Sequence, residues 1–386
     1  MISSIKICNF KSIIESKAKL PLFGAIVGLN AAGKSNLIYS IEIARSLMRG
    51  ANLSQSTAKY GSVNEELFNL RDVTQKKPFS FEFELDVESG FKYIFGISIS
   101  LKKNQNALSS LIVDQEFLKK NINGNEIVVY NRYSDGTVKI PNESIPSTIS
   151  AEEDVLFINL YKTPDTEKVK QIFQKTRIVS SDINMLRTPA LFMKGSDVAR
   201  ADHISNLIGR LMKDPNLYSQ FVKIIKKMMP NLSEFREIKI DDETVKNKEF
   251  MVLMQEITLQ GELSTRSFSE GDLRTIAIIA TGLDMSEDAS FFIEEIENGM
   301  HAGRAEKLVE YLDTFSKVKN IQIMFTTHSP LIINDMKPQD VLFVSKNGHG
   351  TTFELLGDSE DVTTIKLLLK EGGNLTDYLS AKLHKH

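Results

Sequence analysis

The stretch GLNAAGKS, Gly28 to Ser35, follows the pattern G-x-x-x-x-G-K-[ST] of a phosphate-binding loop, or P-loop. The apolar segment GAIVG leads into it, and a helical pattern follows up to about Met48. In such a loop, backbone N–H groups surround the β-phosphate at a helix N-terminus, the lysine reaches the β and γ oxygens, and the serine hydroxyl binds magnesium. A glycine turn with a solvated lysine is the alternative, and the flanking strand and helix favour the P-loop. The predicted nucleotide-binding residues are Gly28, Asn30, Ala31, Ala32, Gly33, Lys34, Ser35 and Asn36, with Ser35 also a metal ligand.

Composition and charge place the chain among ordinary α/β globular proteins. Its 386 residues exceed what one simple core usually supports, with 41% hydrophobic and 25% charged residues. A net charge of −3 gives no overall reason to expect nucleic acid or an anionic membrane as partner. The single cysteine, Cys8, suits a reducing compartment. Because no apolar signal segment or membrane span is visible, we expect a cytoplasmic protein without a membrane partner.

The periodicity of apolar residues divides the chain into three predicted segments. Residues 1–150 form an N-terminal lobe with the strand pair SIKICNF and SKAKL, the P-loop, and an antiparallel β subdomain. Its hairpin is indicated by strict alternation in 79–87 and 91–101, and two short strands are expected at EIVVY and GTVKI. Residues 151–233 are a predicted helical insertion, clearest in YSQFVKIIKKMMP. Residues 234–386 form a C-terminal lobe, where strands alternating with helices indicate parallel strands and crossover helices.

Two acidic residues, Glu294 and Glu295, directly follow the apolar strand SFFI. In a P-loop fold the first acid at such a strand end holds the magnesium water shell, and the second positions and polarises the attacking water. A solvated acidic strand end is the alternative. We predict Glu294 as a metal ligand and Glu295 as a catalytic residue. Functional contact and simple loop hydrogen bonding are equally open for Glu297 and His301.

A further strand, IQIMFT, ends at a histidine, His328. An isolated histidine is more often structural, which is the alternative here. Its position downstream of the acidic strand instead predicts that His328 donates a hydrogen bond to the γ-phosphate, as a second catalytic residue.

The segment SFSEGDLR, residues 267–274, begins the helix DLRTIAIIATGL. Locally it predicts a capping box, with Ser269 as the N-cap and Asp272 at the third helical position. An exposed Ser-x-Gly at a helix N-terminus is also an anion site, because its N–H groups are bare and the helix dipole is positive there. We therefore predict that Ser269 and Gly271 also bind nucleotide.

Taken in order, the P-loop, SxGxxR, EEIENGMH and TTHSP resemble the ABC-type ATPase heads of the SMC, RecF and OLD proteins. The opening IKICNFKSI is similar to the first strand of those heads, and the resemblance covers residues 1–101 and 234–346. It implies an α/β P-loop NTPase fold, an ABC ATPase-like head with the antiparallel β subdomain and helical insertion described above. It also implies ATP and Mg²⁺ as ligands. In such heads the signature serine and glycine of one subunit contact the γ-phosphate held by another, so a homodimer or higher homo-oligomer is expected.

Three positions depart from the family pattern. Glu294 stands where many relatives have aspartate, which changes the reach toward magnesium. The signature lacks the double glycine of transporter ATPases, which argues against a transport role. Gln75 is only a weak candidate for the glutamine of a Q-loop.

Two functions follow from the resemblance. OLD-like relatives usually carry a Toprim nuclease after the head, but no acidic D-x-D cluster follows His328. The first hypothesis is therefore an ATP-driven switch that controls a separate effector, such as a nuclease from a neighbouring gene, in bacterial antiphage defence. The second is a RecF-like repair or recombination ATPase that clamps DNA, with Lys223, Lys226 and Lys227 as its candidate surface. A solvated helix face is the simpler interpretation of those lysines.

Overall fold

The computed structural model forms two compact units. We call residues 1–176 with 336–386 the P-loop unit, and residues 177–335 the signature unit. The structure describes residues 1–61, 64–69, 77–87, 90–103, 109–141, 152–182, 186, 190–191, 204–240, 249–257, 261–264 and 267–383. Gln75 therefore lies outside the described residues.

The strands are numbered in chain order. They are β1 Ile2–Phe10, β2 Ile13–Lys19, β3 Phe23–Val27, β4 Phe79–Asp86, β5 Phe91–Lys103, β6 Ser109–Ile122, β7 Asn125–Arg132, β8 Val138–Lys139, β9 Arg177–Val179, β10 Ala190–Leu191, β11 Leu232–Ile240, β12 Glu249–Glu256, β13 Glu262–Ser264, β14 Ser290–Ile293, β15 Gln322–Thr326, β16 Val341–Asn347 and β17 Gly350–Leu355.

The α-helices are numbered in the same way. They are α1 Lys34–Met48, α2 Leu53–Thr57, α3 Pro164–Lys175, α4 Ile204–Leu211, α5 Pro215–Met228, α6 Glu270–Asp284, α7 Ala302–Lys319, α8 Pro330–Asp335, α9 Val362–Lys370 and α10 Leu375–Leu383. Short 3₁₀ turns occupy Asn64–Leu67, Phe157–Asn159, Pro338–Asp340 and Leu356–Asp358. Within the described part of the chain, no helix is both long enough and apolar enough to cross a membrane.

A seven-stranded sheet in the order β2-β1-β4-β5-β6-β7-β8 dominates the P-loop unit, and its neighbours pair antiparallel. The predicted strand pair and hairpin are confirmed, because alternate residues of β4, from Phe79 to Leu85, are buried. Strand β6 was not predicted. Its buried positions shift phase between Val113 and Glu116 at a bulge, and one of them is a carboxylate, so the sequence shows no simple period of two.

A second group of strands in the P-loop unit supports the P-loop. All five residues of β3 are buried, and β3 pairs parallel with β16, which pairs antiparallel with β17. A Cβ atom on Gly28 would clash with the carbonyl oxygen of Val344, so only glycine allows β3 to leave the sheet beside β16 at this point. Helix α1 then buries a stripe that includes Leu37, Ile41 and Leu47.

The signature unit contains parallel strands in the order β15-β14-β9. Helix α7 connects β14 to β15, which confirms the predicted alternation of strands and crossover helices. Strands β10, β12, β11 and β13 form a separate antiparallel group, and α4 and α5 pack on α6. Strand β9 was not predicted, because three residues between helical segments leave no readable period.

The predicted helical insertion, residues 151–233, contributes to both units. Helix α3 belongs to the P-loop unit, whereas α4 and α5 belong to the signature unit. Contacts therefore group these helices with different neighbours, although they follow one another in the chain. The domain boundaries predicted at residues 150 and 233 stay a prediction.

A buried carboxylate connects the large sheet to the segment that contacts α1. Glu116 accepts hydrogen bonds from the Tyr130 hydroxyl at 2.7 Å and from the backbone N–H groups of Phe157 and Ile158 at 2.7 and 2.9 Å. The buried Arg132 guanidinium lies 3.9 Å away. Burial raises the pKa of Glu116 above its ordinary value, and these donors counter that rise. One residue beyond Ile158, the Asn159 side chain donates to the carbonyl of Leu47, near the end of α1.

We expect Glu116→Gln to lower the free energy of unfolding by about 2–4 kcal/mol, because an amide cannot accept all three bonds and Arg132 loses its counter-charge. Urea unfolding followed by circular dichroism measures the change. Glu126→Gln is the matched control, since the Glu126 carboxylate forms an exposed pair with Lys119. That variant should change stability by less than about 1 kcal/mol. Equal effects of the two substitutions would contradict this account.

Candidate nucleotide-binding and hydrolysis residues

The P-loop ends at a helix start that has no side-chain cap. Gly33 is the N-cap of α1, with φ 112°, and no acidic residue lies in the first turn. The preceding Ala31 also has a left-handed backbone, with φ 59°. The first N–H groups of a helix have no carbonyl partner within it, and the helix dipole makes this end positive. The loop is therefore built to receive an anion.

Lys34 spans the loop from the first residue of α1. Its side chain is buried, and the Nζ atom donates to the carbonyls of Gly28 and Leu29 at 2.8 and 2.9 Å. Lys34 thus holds the two ends of the loop together and keeps a positive charge within it. Ser35 is exposed beside it.

All eight predicted P-loop residues lie together at this junction between β3 and α1. Asn36 differs from the others, because its side-chain amide donates to the Ser12 hydroxyl at 2.8 Å. In this structure its amide therefore braces the loop.

The predicted acids and histidine lie at the carboxyl ends of adjacent parallel strands, where ligands bind in open α/β sheets. Glu294 follows β14 and is 7% exposed, and its Oε2 accepts from the backbone N–H of Ser181 at 3.1 Å. His328 follows β15, and its backbone N–H donates to Glu297 Oε1 at 2.6 Å. The signature unit thus brings together Glu294, Glu295, Glu297 and His328, and the His328 residue is exposed.

Glu295 is held in a strained backbone conformation. Its φ of 47° lies in the left-handed region, which costs a residue with a side chain about 1–3 kcal/mol. Its N–H donates to the Thr326 hydroxyl at 2.6 Å, and its carbonyl accepts from Arg274 Nε at 3.0 Å. The Asn298 amide lies 3.4 Å from its carboxylate. The backbone N–H and carbonyl of Glu295 are therefore both held by hydrogen bonds, which fixes the position from which its side chain extends.

Arg274 ends the motif SxGxxR, and the sequence analysis gave it no role, although it contacts the residues around Glu295. It is fully buried, and besides Glu295 it donates to the carbonyl of Ser180 at 3.1 Å. Burial lowers the pKa of Arg274 from its ordinary value, while the nearby Glu295 and Glu294 raise it. An arginine among the apolar residues of α6 was the available signal, since a buried cation needs acids or carbonyls around it.

The tip of α6 is the predicted signature. Ser269 is the N-cap and accepts from the Asp272 N–H at 3.1 Å, which confirms the predicted cap. Asp272 directs its carboxylate to Arg304 at 2.6 Å instead of completing a capping box. Of the two residues expected to be exposed, Ser269 is exposed and Gly271 is buried. The reason is close packing, because a Cβ atom on Gly271 would clash with the carbonyl of Gly299.

The structure gives His301 a local role. It is the N-cap of α7, and its Nδ1 accepts from the N–H of Gly303 at 3.3 Å. Of the two roles left open for His301, functional contact or loop hydrogen bonding, the structure shows the second. Glu297 accepts the His328 N–H with Oε1, whereas its Oε2 atom is buried without a hydrogen-bond partner in the described part of the chain.

The two residues predicted as magnesium ligands, Ser35 and Glu294, belong to different units, and each is described within its own unit. Their hydroxyl and carboxylate oxygens are hard donors of the kind that Mg²⁺ prefers. No group of three or more His, Cys, Asp or Glu residues within the described ranges could enclose a metal. Few protein ligands suit Mg²⁺ bound next to a nucleotide, since that ion keeps waters and phosphate oxygens in its coordination shell.

The fold is that of SMC heads, as the motif resemblance predicted. A crystal structure described as "SmcHead bound to the C-winged helix domain of ScpA" matches with a TM-score of 0.55 and 15% identity, over 92% of this chain and 96% of that one. The SMC head domain from Thermotoga maritima covers 92% of this chain at 11% identity and a TM-score of 0.44.

Residues 23–165 and 185–334 match the family described as "AAA domain, putative AbiEii toxin, Type IV TA system", and the chain belongs to this family. The Old nuclease of Escherichia phage P2 is 23% identical over 376 residues, which cover 91% of this chain. They cover 60% of that relative, so the chain spans about three fifths of its length. The chain is thus a member of this AAA family that is similar in sequence to Old and in fold to SMC heads.

We expect Gly271→Ala to lower the free energy of unfolding by about 1–3 kcal/mol, because the new methyl group displaces the tip of α6 from Gly299. Urea unfolding measures this change in the free energy of unfolding. Gly282→Ala in the same helix is the matched control, since a Cβ atom there meets Phe315 at 3.4 Å, an ordinary contact. That variant should be neutral or more stable by up to about 1 kcal/mol. Unchanged stability of Gly271→Ala would refute the close packing.

Proposed function

We propose that this chain binds ATP with Mg²⁺ at its P-loop and hydrolyses the nucleotide to ADP and phosphate. The observation that carries the proposal is the uncapped start of α1 behind Gly33, with the Lys34 ammonium inside the loop. A polyphosphate carries the negative charge that complements the positive end of this helix and the lysine ammonium. The phosphate-binding role falls to the eight P-loop residues named above.

Glu294 and Glu295 have separate roles in the proposed reaction. Glu294 and the Ser35 hydroxyl would hold Mg²⁺, which neutralises charge on the phosphate oxygens. Glu295 orients a water molecule and accepts its proton as the water attacks the γ-phosphate. The fixed backbone of Glu295 supports this role, because positioning is the main contribution that a protein makes to phosphoryl transfer. Glu294 reaches one methylene further than an aspartate would.

We further propose that ATP joins two copies of the chain head-to-tail. Ser269 lies exposed at the positive end of α6, where its hydroxyl and the helix N–H groups suit the γ-phosphate bound by another subunit. His328 is exposed at the end of β15 and would donate a hydrogen bond to the γ-phosphate as a catalytic residue. Each copy then contributes its signature to the nucleotide of the other.

The dimer is proposed to act as a switch in the bacterial cytoplasm. The description of the chain's family names a putative toxin of a toxin–antitoxin system, and one similar protein is named a nuclease. These names support a defence role in which closing and opening of the dimer control a separate effector protein, such as a nuclease encoded nearby. Pull-down from the native host with ATP, with ADP and without nucleotide tests this, and a partner that ignores the nucleotide would argue against it.

A DNA clamp is the second candidate, favoured by one observation. Lys223, Lys226 and Lys227 are all exposed on α5. A clamp predicts that duplex DNA stimulates ATP hydrolysis and that this stimulation falls steeply as salt rises, because phosphate contacts release counterions. An effector switch has no such requirement, so the salt response separates the two candidates.

We expect Glu295→Gln to lower kcat by about 100-fold or more, since a glutamine cannot accept the proton of the attacking water. Nucleotide binding should persist, because the amide keeps the shape of the side chain. Phosphate release and equilibrium binding of a fluorescent ATP analogue measure the two effects. Glu310→Gln, an exposed glutamate on α7, is the matched control. Lys34→Ala should instead lose binding itself. Turnover of Glu295→Gln at the wild-type rate would show that another group is the base.

We expect Ser269→Arg to block ATP-dependent dimers without preventing ATP binding by single subunits, because the larger side chain fills the space meant for the partner's phosphate. Light scattering with ATP, in a Glu295→Gln background that preserves the nucleotide, measures the mass of the particle. Ser286→Arg is the control, since Ser286 is exposed beyond the other end of α6. Intact dimers of Ser269→Arg would count against the proposed signature contact.

A further inference from the structure

A chain of hydroxyl groups holds one peptide of the P-loop from behind. The Thr351 hydroxyl on β17 donates to the carbonyl of Ala32 at 2.7 Å. The same hydroxyl lies 2.7 Å from the Ser12 hydroxyl, and Ser12 accepts from the Asn36 amide at 2.8 Å. Because the Thr351 proton goes to Ala32, Ser12 must supply the proton between the two hydroxyls. The bonds therefore run in one direction, from Asn36 through Ser12 and Thr351 to Ala32.

This chain determines where an N–H group of the loop points. A peptide bond is planar and trans, so the N–H of Gly33 is directed opposite to the carbonyl of Ala32. With that carbonyl held by Thr351, the Gly33 N–H points away from β17. The Ala32 N–H is held as well, by the carbonyl of Leu29 at 3.2 Å. Rotation of the Ala32–Gly33 peptide changes φ of Gly33, which a glycine can vary at little cost, so this rotation would otherwise be an easy way for the loop to relax.

Thr351 itself has little freedom to move. It is 1% exposed, and its backbone N–H donates to the carbonyl of Ser12 at 3.0 Å. A Cβ atom on Gly33 would lie 2.7 Å from the Thr351 side chain, so the glycine also makes room for it. Both Thr351 and Ser12 lie outside the residue ranges that match the family, 23–165 and 185–334.

We propose that Thr351 is a positioning residue of the nucleotide site, which acts through Ala32 to aim the Gly33 N–H at the phosphates, with Ser12 aligning its hydroxyl. The inference rests on the proposed function, because the phosphate is the ligand that this N–H serves. Thr351 acts from behind the loop and touches no substrate.

The test compares Thr351→Val, Thr351→Ser and Thr352→Val in the full chain. Valine keeps the shape of threonine and removes the hydroxyl, whereas serine keeps the hydroxyl. Thr352 is the matched control, because it is exposed on the same strand and its hydroxyl pairs with Ser345 at 2.9 Å, away from the P-loop. Binding of fluorescent ATP and ADP analogues, and hydrogen exchange of a peptide spanning residues 28–36 in nucleotide-free protein, are the two readouts.

We expect Thr351→Val to weaken the affinity for both nucleotides by about three- to tenfold, the loss of one good hydrogen bond, and to speed exchange in the loop. Thr351→Ser should restore both properties, and Thr352→Val should resemble the wild type. Should Thr351→Val fail to fold, Ser12→Ala tests the same chain, with the same two changes expected.

Two negative results are distinguishable. If the wild type binds neither nucleotide, the proposed function is wrong. If the wild type binds and Thr351→Val binds equally well with unchanged exchange, the positioning role is wrong. Equal weakening by Thr352→Val would also overturn it, because the effect would then come from the strand and not from the contact with Ala32.

Discussion

The start of α1, which has no side-chain cap, is the feature on which the P-loop unit depends. Buried or half-buried backbone donors are costly unless a partner is supplied, and Gly33 offers no side chain to supply one. The surrounding structure keeps this start open. Lys34 ties the loop carbonyls together in front, while Thr351 and Ser12 hold the Ala32 peptide from behind. The free energy that an anion gains there is therefore available without reorganising the loop.

The signature unit solves a different problem, the placement of several carboxylates near one another. Glu294, Glu295 and Glu297 leave one strand end within four residues, and like charges at that spacing repel. Arg274 sits fully buried among them and donates to the backbone of Glu295 and Ser180. Its charge offsets the repulsion, and its two hydrogen bonds join the loop that carries Glu295 to the segment after β9. The same helix presents Ser269 at its tip, so the signature and the acids share one rigid support.

Sharing that support has a consequence for the proposed dimer. The tip of α6 packs on Gly299, in the loop that follows the acids, and α6 also carries Arg274. If the tip of α6 moves when it binds a second subunit's nucleotide, Arg274 would move with the helix and shift the carbonyl of Glu295. The geometry of this one helix would thus serve both the proposed contact between copies and the placement of Glu295, the proposed base.

The sequence by itself determined the elements whose chemistry is local. The P-loop, the helix start at Ser269, the β4–β5 hairpin and the strand ends at Glu294 and His328 could be predicted, because spacing and period carry that information. Only the tertiary structure revealed β6, where a bulge and the buried Glu116 break the period, and β9, which is too short to show one. It alone decided that Gly271 is buried, that Arg274 holds Glu295, and that Thr351 braces a loop more than 300 residues earlier in the chain. Those contacts join residues far apart in sequence, and no local pattern records which distant hydroxyl or carbonyl completes a hydrogen bond.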